Sequence, residues 1–202
     1  VDAAHKRGMK VYMDIIANHT ADVIQYKECL TSACSYRNRA DYPYSRRATD
    51  GSAINPGFAG DSIQTPENFA KLTDMNFAYT PVIPKGEEKV KVPAWLNDIR
   101  WYHNRGDSTF SGESSTMGDF VGLDGVMTEN PRVIEGFIDI YGAWIDQFGI
   151  DGFRVDTARH VNPEFWQAFV PAMLARAKAK GIPNFHIFGE IGGVGLEPGK
   201  LA

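Results

Sequence analysis

Apolar and polar positions along this chain form blocks that predict strands and helices in turn. Residues 1–8 are typical of the end of a helix that stops at Gly8. A run rich in β-branched and apolar residues over 9–17 predicts a first strand, which leads into Asn18-His19-Thr20. This strand therefore carries polar groups at its exit.

Regular patterning returns in the second half of the chain. Asn130-Pro131 supplies a cap and a first-turn proline for a helix ending at Gly149, with an apolar stripe at three- or four-residue spacing: Val133, Phe137, Tyr141, Trp144 and Phe148. Asn162-Pro163 predicts a second helix in the same way, closed by Gly181, with a buried face of Phe165, Phe169, Met173 and Leu174.

Two short apolar runs each end in an acid. One covers 152–156 and ends at Asp156, and the other covers 185–190 and ends at Glu190. The order strand, insertion, helix, strand, helix, strand predicts an α/β fold with a parallel sheet and right-handed crossovers. Both an open doubly wound sheet and part of a βα barrel fit this order.

Between the first strand and Asn130 the periodicity breaks down. Residues 21–122 are rich in Gly, Pro, Asn, Asp and aromatic residues, which predicts a small irregular subdomain over one end of the sheet. Four of its aromatic residues could offer a ring face to a ligand, although for any one of them we favour a place in the subdomain core: Trp95, Trp101, Tyr102 and Phe110.

Composition narrows the class of partner. The chain has 202 residues and a net charge of −4, which disfavours nucleic acid, and it has no apolar run long enough for a membrane span. Cys29 and Cys34 could form a disulfide, which would indicate an oxidising compartment, extracellular or periplasmic. Free thiols in a cytoplasmic protein are the alternative.

The candidate chemistry lies where the predicted strands end, because reacting groups of parallel βα folds gather at that edge. Asn18 and His19 follow the first strand. Arg154 and Asp156 face the same way from the second, so the guanidinium can hold Asp156 ionised as a nucleophile. Glu190 ends the third and has no adjacent cation, which suits a carboxyl whose pKa is raised enough to act as a proton donor. Strands about 4.8 Å apart favour the close carboxylates of a retaining glycosidase.

Three segments, in order, resemble motifs of the alpha-amylase family, glycoside hydrolase family 13. They are Asp-Ile-Ile-Ala-Asn-His at 14–19, Gly-Phe-Arg-Val-Asp-Thr-Ala-Arg-His at 152–160, and Phe-Gly-Glu at 188–190. The resemblance implies a partial (β/α)8 TIM barrel, about strands 3 to 5, with an inserted domain B after strand 3. Residues 1–20 and 123–202 would form the barrel part and residues 21–122 the insertion.

The same resemblance implies roles for the strand-end residues. Asp156 would be the catalytic nucleophile, Glu190 the general acid and then base, and Arg154 the residue that orients Asp156 and lines the substrate site. His19 would hydrogen-bond the sugar in the subsite where cleavage occurs.

Further residues follow from the matched motifs. Arg159 and His160 would contact sugars on the leaving-group side. Asp14 would contact the residues of the catalytic cluster without touching the substrate itself. Calcium is a possible cofactor, with Asn18 and the main-chain carbonyl of His160 at ligand positions, but Gly125 stands where many family members carry a ligating Asp. No organic cofactor is expected.

We therefore expect a retaining glycoside hydrolase acting on alpha-glucosidic bonds of starch or maltooligosaccharides. The family's third essential carboxylate belongs to an Asn-His-Asp motif that this chain lacks, so we expect a fragment of a longer enzyme, inactive alone. Alternatives are a transglycosylase or isomerase of the family, a non-catalytic carbohydrate-binding relative, and a metal-dependent hydrolase using Asp14, His19 and His160. Endo or exo action and oligomeric state stay open.

Overall fold

The structure, a computed structural model, describes residues 1–192. Residues 193–202, the end of the predicted barrel segment, lie outside the described residues. In chain order the elements are α1 (Asp2–His5), β1 (Tyr12–Ile16), β2 (Gln25–Tyr26), α2 (Pro66–Phe69), β3 (Pro81–Val82), α3 (Ser114–Met117), α4 (Pro131–Phe148), β4 (Gly152–Asp156), α5 (Pro163–Ala179) and β5 (His186–Gly189).

The predicted parallel sheet is confirmed. Its strands lie in the order β1, β4, β5, and both pairings are parallel. In this register Asp14 of β1 lies beside Arg154 of β4, which in turn lies beside Phe188 of β5. Helices α4 and α5 pack against each other, and the buried side chains Phe153 and Val155 of β4 join the core. The opposite face of the sheet carries the charged residues.

Helix α4 begins and ends where the sequence predicts. The side chain of Asn130 accepts a hydrogen bond from Arg132 N at 3.0 Å, and Gly149 ends the helix with a left-handed φ of 63°. The predicted apolar stripe is wrong at its far end, since Trp144 and Phe148 are 39% and 48% exposed. These two rings pack on each other at the surface, while Ile145 takes the buried position.

Helix α5 starts at Pro163, but Asn162 makes no side-chain cap. Its Nδ2 instead donates to Thr128 Oγ1 at 3.0 Å and to Glu129 Oε2 at 3.1 Å, so it ties the start of α5 to the segment before α4. Leu174, predicted to be buried, is 45% exposed because α4 covers only the face formed by the phenylalanines and Met173.

Within residues 21–122 the regular elements are short, and many aromatic side chains are buried. Tyr102 is 1% exposed, and Trp95 packs edge-on against Phe137 of α4. Cys29 and Cys34 form a disulfide. Within residues 1–192, no helix combines the length and apolar character needed to cross a membrane.

Candidate active site

One guanidinium binds three carboxylates at the C-terminal edge of the sheet. Arg154 Nη1 donates to both oxygens of Asp14, at 2.9 and 3.0 Å, and to Asp156 Oδ1 at 3.1 Å. Its Nη2 lies 2.9 Å from Glu190 Oε2. Because β4 lies between β1 and β5 and both pairings are parallel, the register brings Asp14 within β1, Asp156 at the end of β4 and Glu190 just after β5 to one face of the sheet.

The prediction that Glu190 has no adjacent cation is therefore wrong, because Arg154 contacts its carboxylate. Its backbone N–H donates to Val155 O at 2.7 Å, which continues the strand pairing and turns the carboxylate toward Arg154. The carboxylate side chains are 26% exposed for Asp156, 49% for Glu190 and 64% for Asp14, so a ligand can reach all three. The predicted pairing of Arg154 with Asp156 is found as expected.

His19 lies beside this cluster. Its ring stacks on Phe120 with centroids 5.1 Å apart and 15° between the planes, and its Nδ1 lies 3.2 Å from Asn18 Nδ2. Burial lowers the pKa of His19, against the raising effect of the Asp156 charge. A neutral imidazole at this place can donate a hydrogen bond to a polar ligand or accept one from it.

The turn after β4 positions the next two predicted residues. Thr157 takes a left-handed φ of 51° and leads into a 3₁₀ turn over Ala158–His160. His160 is buried, and its Nδ1 lies 2.9 Å from the carbonyl oxygen of Ser115, to which it donates. Arg159 turns away and donates to the Gly192 carbonyl at 2.8 Å, so it does not join the carboxylate cluster.

The donor set at the predicted calcium position does not fit that ion, which prefers several carboxylate and carbonyl oxygens. Asn18 and the His160 carbonyl would supply only neutral oxygens. At Gly125 a Cβ would lie 2.9 Å from Gly118 O and 3.1 Å from Asp119 Oδ1, so no side chain can enter there without a shift. In the described part of the chain, no group of three His, Cys, Asp or Glu side chains is arranged to hold a metal.

Two nearby buried carboxylates are already bound by protein groups. Asp119 accepts from Tyr26 Oη at 2.6 Å and from Gly125 N at 2.8 Å. Asp124 accepts from Ile24 N at 3.1 Å and pairs with the ammonium of Lys91, itself buried. A lysine therefore supplies the positive charge for Asp124, and the sequence pattern gave no sign of this pair.

The metal-dependent alternative is not supported by the arrangement of its residues. Asp14 is bound by Arg154, and His160 directs Nδ1 at Ser115, so these side chains do not converge with His19 on a common point. Sequence reasoning also missed Ser115 and Phe120, which come from the irregular region 21–122 and contact the two histidines. Ser115 lies in the one-turn helix α3 and Phe120 in an irregular segment, and neither belongs to a recognised motif.

Fold and site together define a parallel α/β protein with an acidic, solvent-accessible site at the strand ends. The profile of the alpha amylase catalytic domain matches residues 1–188 of the chain. The chain belongs to the alpha-amylase family.

Among its relatives is an alpha-amylase of Streptomyces lividans, 43% identical over 191 residues, which cover 95% of this chain and 20% of that protein. A periplasmic alpha-amylase of Escherichia coli is 28% identical over 83% of the chain and 26% of that protein. The crystal structure of an alpha-amylase from Geobacillus thermoleovorans in complex with acarbose superposes with a TM-score of 0.51 at 22% identity, over 95% of this chain and 27% of that one. The chain thus spans about a fifth to a quarter of these relatives.

Proposed function

We propose that this chain carries the nucleophile and the acid/base of a retaining glycoside hydrolase that cleaves alpha-glucosidic bonds in starch-type glucans. The observation that supports this most is the single guanidinium that contacts both Asp156 and Glu190. Two carboxylates at the ends of adjacent parallel strands suit the short separation that retention needs. The acarbose bound to the Geobacillus relative supports a glucan-like ligand.

In this proposal Asp156, positioned by Arg154, attacks the anomeric carbon of the bound glucosyl unit. Glu190 gives its proton to the glycosidic oxygen as the bond to the leaving sugar breaks. Water then attacks the covalent glycosyl-enzyme, with Glu190 taking the proton and Asp156 leaving as a carboxylate. The product keeps the configuration of the substrate. Neutral His19 donates a hydrogen bond to the sugar in the cleaved subsite, and Arg154 fixes both carboxylates during these steps.

We place the three parallel strands within an eight-stranded barrel, as strands 3 to 5, with residues 21–122 as the inserted domain B. The remaining strands and the third carboxylate would come from the rest of such a polypeptide. The disulfide between Cys29 and Cys34 supports an oxidising compartment, and hence an extracellular or periplasmic protein.

The test uses the full-length polypeptide that carries this chain. We expect it to release reducing sugars from starch and maltooligosaccharides, with the α-anomer as the first product seen by proton NMR. Asp156→Asn and Glu190→Gln should each lower kcat at least about a thousandfold. Asp139→Asn, on the exposed face of α4, is the control with full activity.

Other outcomes would contradict parts of this proposal. A β-anomer as the first product contradicts retention. Unchanged function after Glu190→Gln would favour the non-catalytic carbohydrate-binding relative. Oligosaccharides longer than the substrate, in place of free sugars, would indicate a transglycosylase.

A further inference from the structure

Four aromatic rings form a contiguous group beside the carboxylate cluster. His19 stacks on Phe120, whose centroid lies 5.5 Å from that of His160 and 5.2 Å from that of Phe110. Phe110 and His160 are 5.7 Å apart and meet edge to face. Phe120 thus joins His19, on which the charge of Asp156 acts, to Phe110.

Phe110 is the exposed ring of this group. Phe110 is 42% exposed, whereas Tyr102 is 1% exposed, and Trp95 and Trp101 pack against the hydrophobic core. The interpretation of the aromatic residues as core holds for those three and fails for Phe110. Burial removes a ring face from any ligand, so Phe110 alone among these four residues keeps a large apolar surface available beside the site.

The backbone of Phe110 has an unfavourable conformation. Its φ of 59° is left-handed, which is unfavourable for a bulky residue. Two serines fix the loop in this shape: Ser108 Oγ lies 2.9 Å from Phe110 N and donates to the Ser114 carbonyl at 2.7 Å, and the buried Ser114 Oγ lies 2.8 Å from Thr109 Oγ1. A strained backbone that its surroundings hold in place is typical of a functional position.

We propose that Phe110, backed by Phe120, is a sugar-stacking residue on the leaving-group side of the site and sets its preference for a glucan leaving group. This rests on the proposed function, because it assigns the leaving-group side through His160. An aromatic face offers a flat apolar surface to the C–H face of a glucose ring. Since the loop is already rigid, little conformational entropy is lost when the sugar binds.

The experiment compares two substrates in the full-length polypeptide. Maltoheptaose has a sugar as its leaving group, whereas α-maltosyl fluoride releases only fluoride and cannot reach Phe110. For Phe110→Leu, which keeps apolar bulk but removes the ring, we expect kcat/KM for maltoheptaose to fall about five- to tenfold relative to that for the fluoride. Phe110→Tyr should restore the ratio.

Val121→Ala is the matched control, because Val121 is also apolar, exposed and left-handed, at φ 55°, yet is not aromatic. Its ratio should stay within twofold of wild type. An equal fall for both substrates in Phe110→Leu, or no fall for maltoheptaose, would overturn the assignment. A wild-type protein that cleaves neither substrate would instead refute the proposed function, so the two failures are distinguishable.

Discussion

Arg154 of β4 binds Glu190, which follows the neighbouring strand β5. The two atoms in contact, Arg154 Nη2 and Glu190 Oε2, lie 2.9 Å apart. The same guanidinium contacts Asp14 and Asp156, so one cation fixes the relative positions of these three acids. The proton-donor role proposed for Glu190 must therefore operate beside a permanent positive charge.

Replacing this guanidinium should impair the chemistry more than the fold. Arg154→Lys keeps the charge but offers a point cation that cannot contact three carboxylates at once. We expect kcat to fall about a hundredfold or more, with the thermal midpoint within a few degrees of wild type, because the side chain is partly exposed. Steady-state kinetics and thermal unfolding measure the two effects. A variant with wild-type kcat would show that bridging by Arg154 is unnecessary.

Asp151 should stabilise the protein in a pH-dependent way. It is buried at the start of β4 and accepts from His5 Nε2 at 2.7 Å, Lys10 Nζ at 2.8 Å and Val11 N at 2.8 Å. Burial acts to raise the pKa of Asp151, but these donors outweigh it and lower the pKa to about 2. Its contribution is thus present above pH 4 and is lost as the pH falls toward 2.

Asp151→Asn should lower the free energy of unfolding by about 1–3 kcal/mol at pH 7 and by less near pH 2. Urea denaturation at both pH values checks this. The control Asp139→Asn, 70% exposed, should change stability by less than about 0.5 kcal/mol. A loss that is the same at both pH values would contradict the linkage.

Asp119 should act in the opposite direction. Burial raises its pKa to about 7 from 3.8, although Tyr26 and Gly125 donate to it. A raised pKa in the folded state favours folding below pH 4, and this advantage disappears as the pH rises to 7. Asp119→Asn should remove a fall in stability of about 1 kcal/mol per pH unit across that window. Urea denaturation from pH 4 to 8 measures it, with the exposed Asp41→Asn as control; parallel curves for Asp119→Asn and wild type would refute the prediction.

Adding the carboxylate that many family members carry at position 125 should not create a calcium site. The Cβ of Gly125→Asp would meet Gly118 O and Asp119, so we expect a loss of about 1–3 kcal/mol in both calcium chloride and EDTA. Gly125→Ala separates the effect of the Cβ from that of the charge. Calcium that raises the thermal midpoint of the Asp variant and leaves the Ala variant unchanged would show that the site does accept the ion.

Local pattern was enough to predict the regular part of the fold. The bounds of α4 followed from Asn130, Pro131 and Gly149, because caps and proline act within one turn of the helix. The order of strands and the acids at their ends followed from short apolar runs. The burial predicted from periodicity was wrong for Trp144 and Leu174, because an apolar stripe does not show which neighbouring element covers it.

The sequence by itself determined which residues stand at the strand ends and, through its motifs, which family they resemble. Only the tertiary structure decided that Arg154 reaches Glu190, that Lys91 neutralises Asp124, and that Phe110 stays exposed. The physical reason is one of range. Strand and helix propensities act over a few residues, whereas these contacts depend on strand register and on loops whose hydrogen bonds join distant, non-periodic positions.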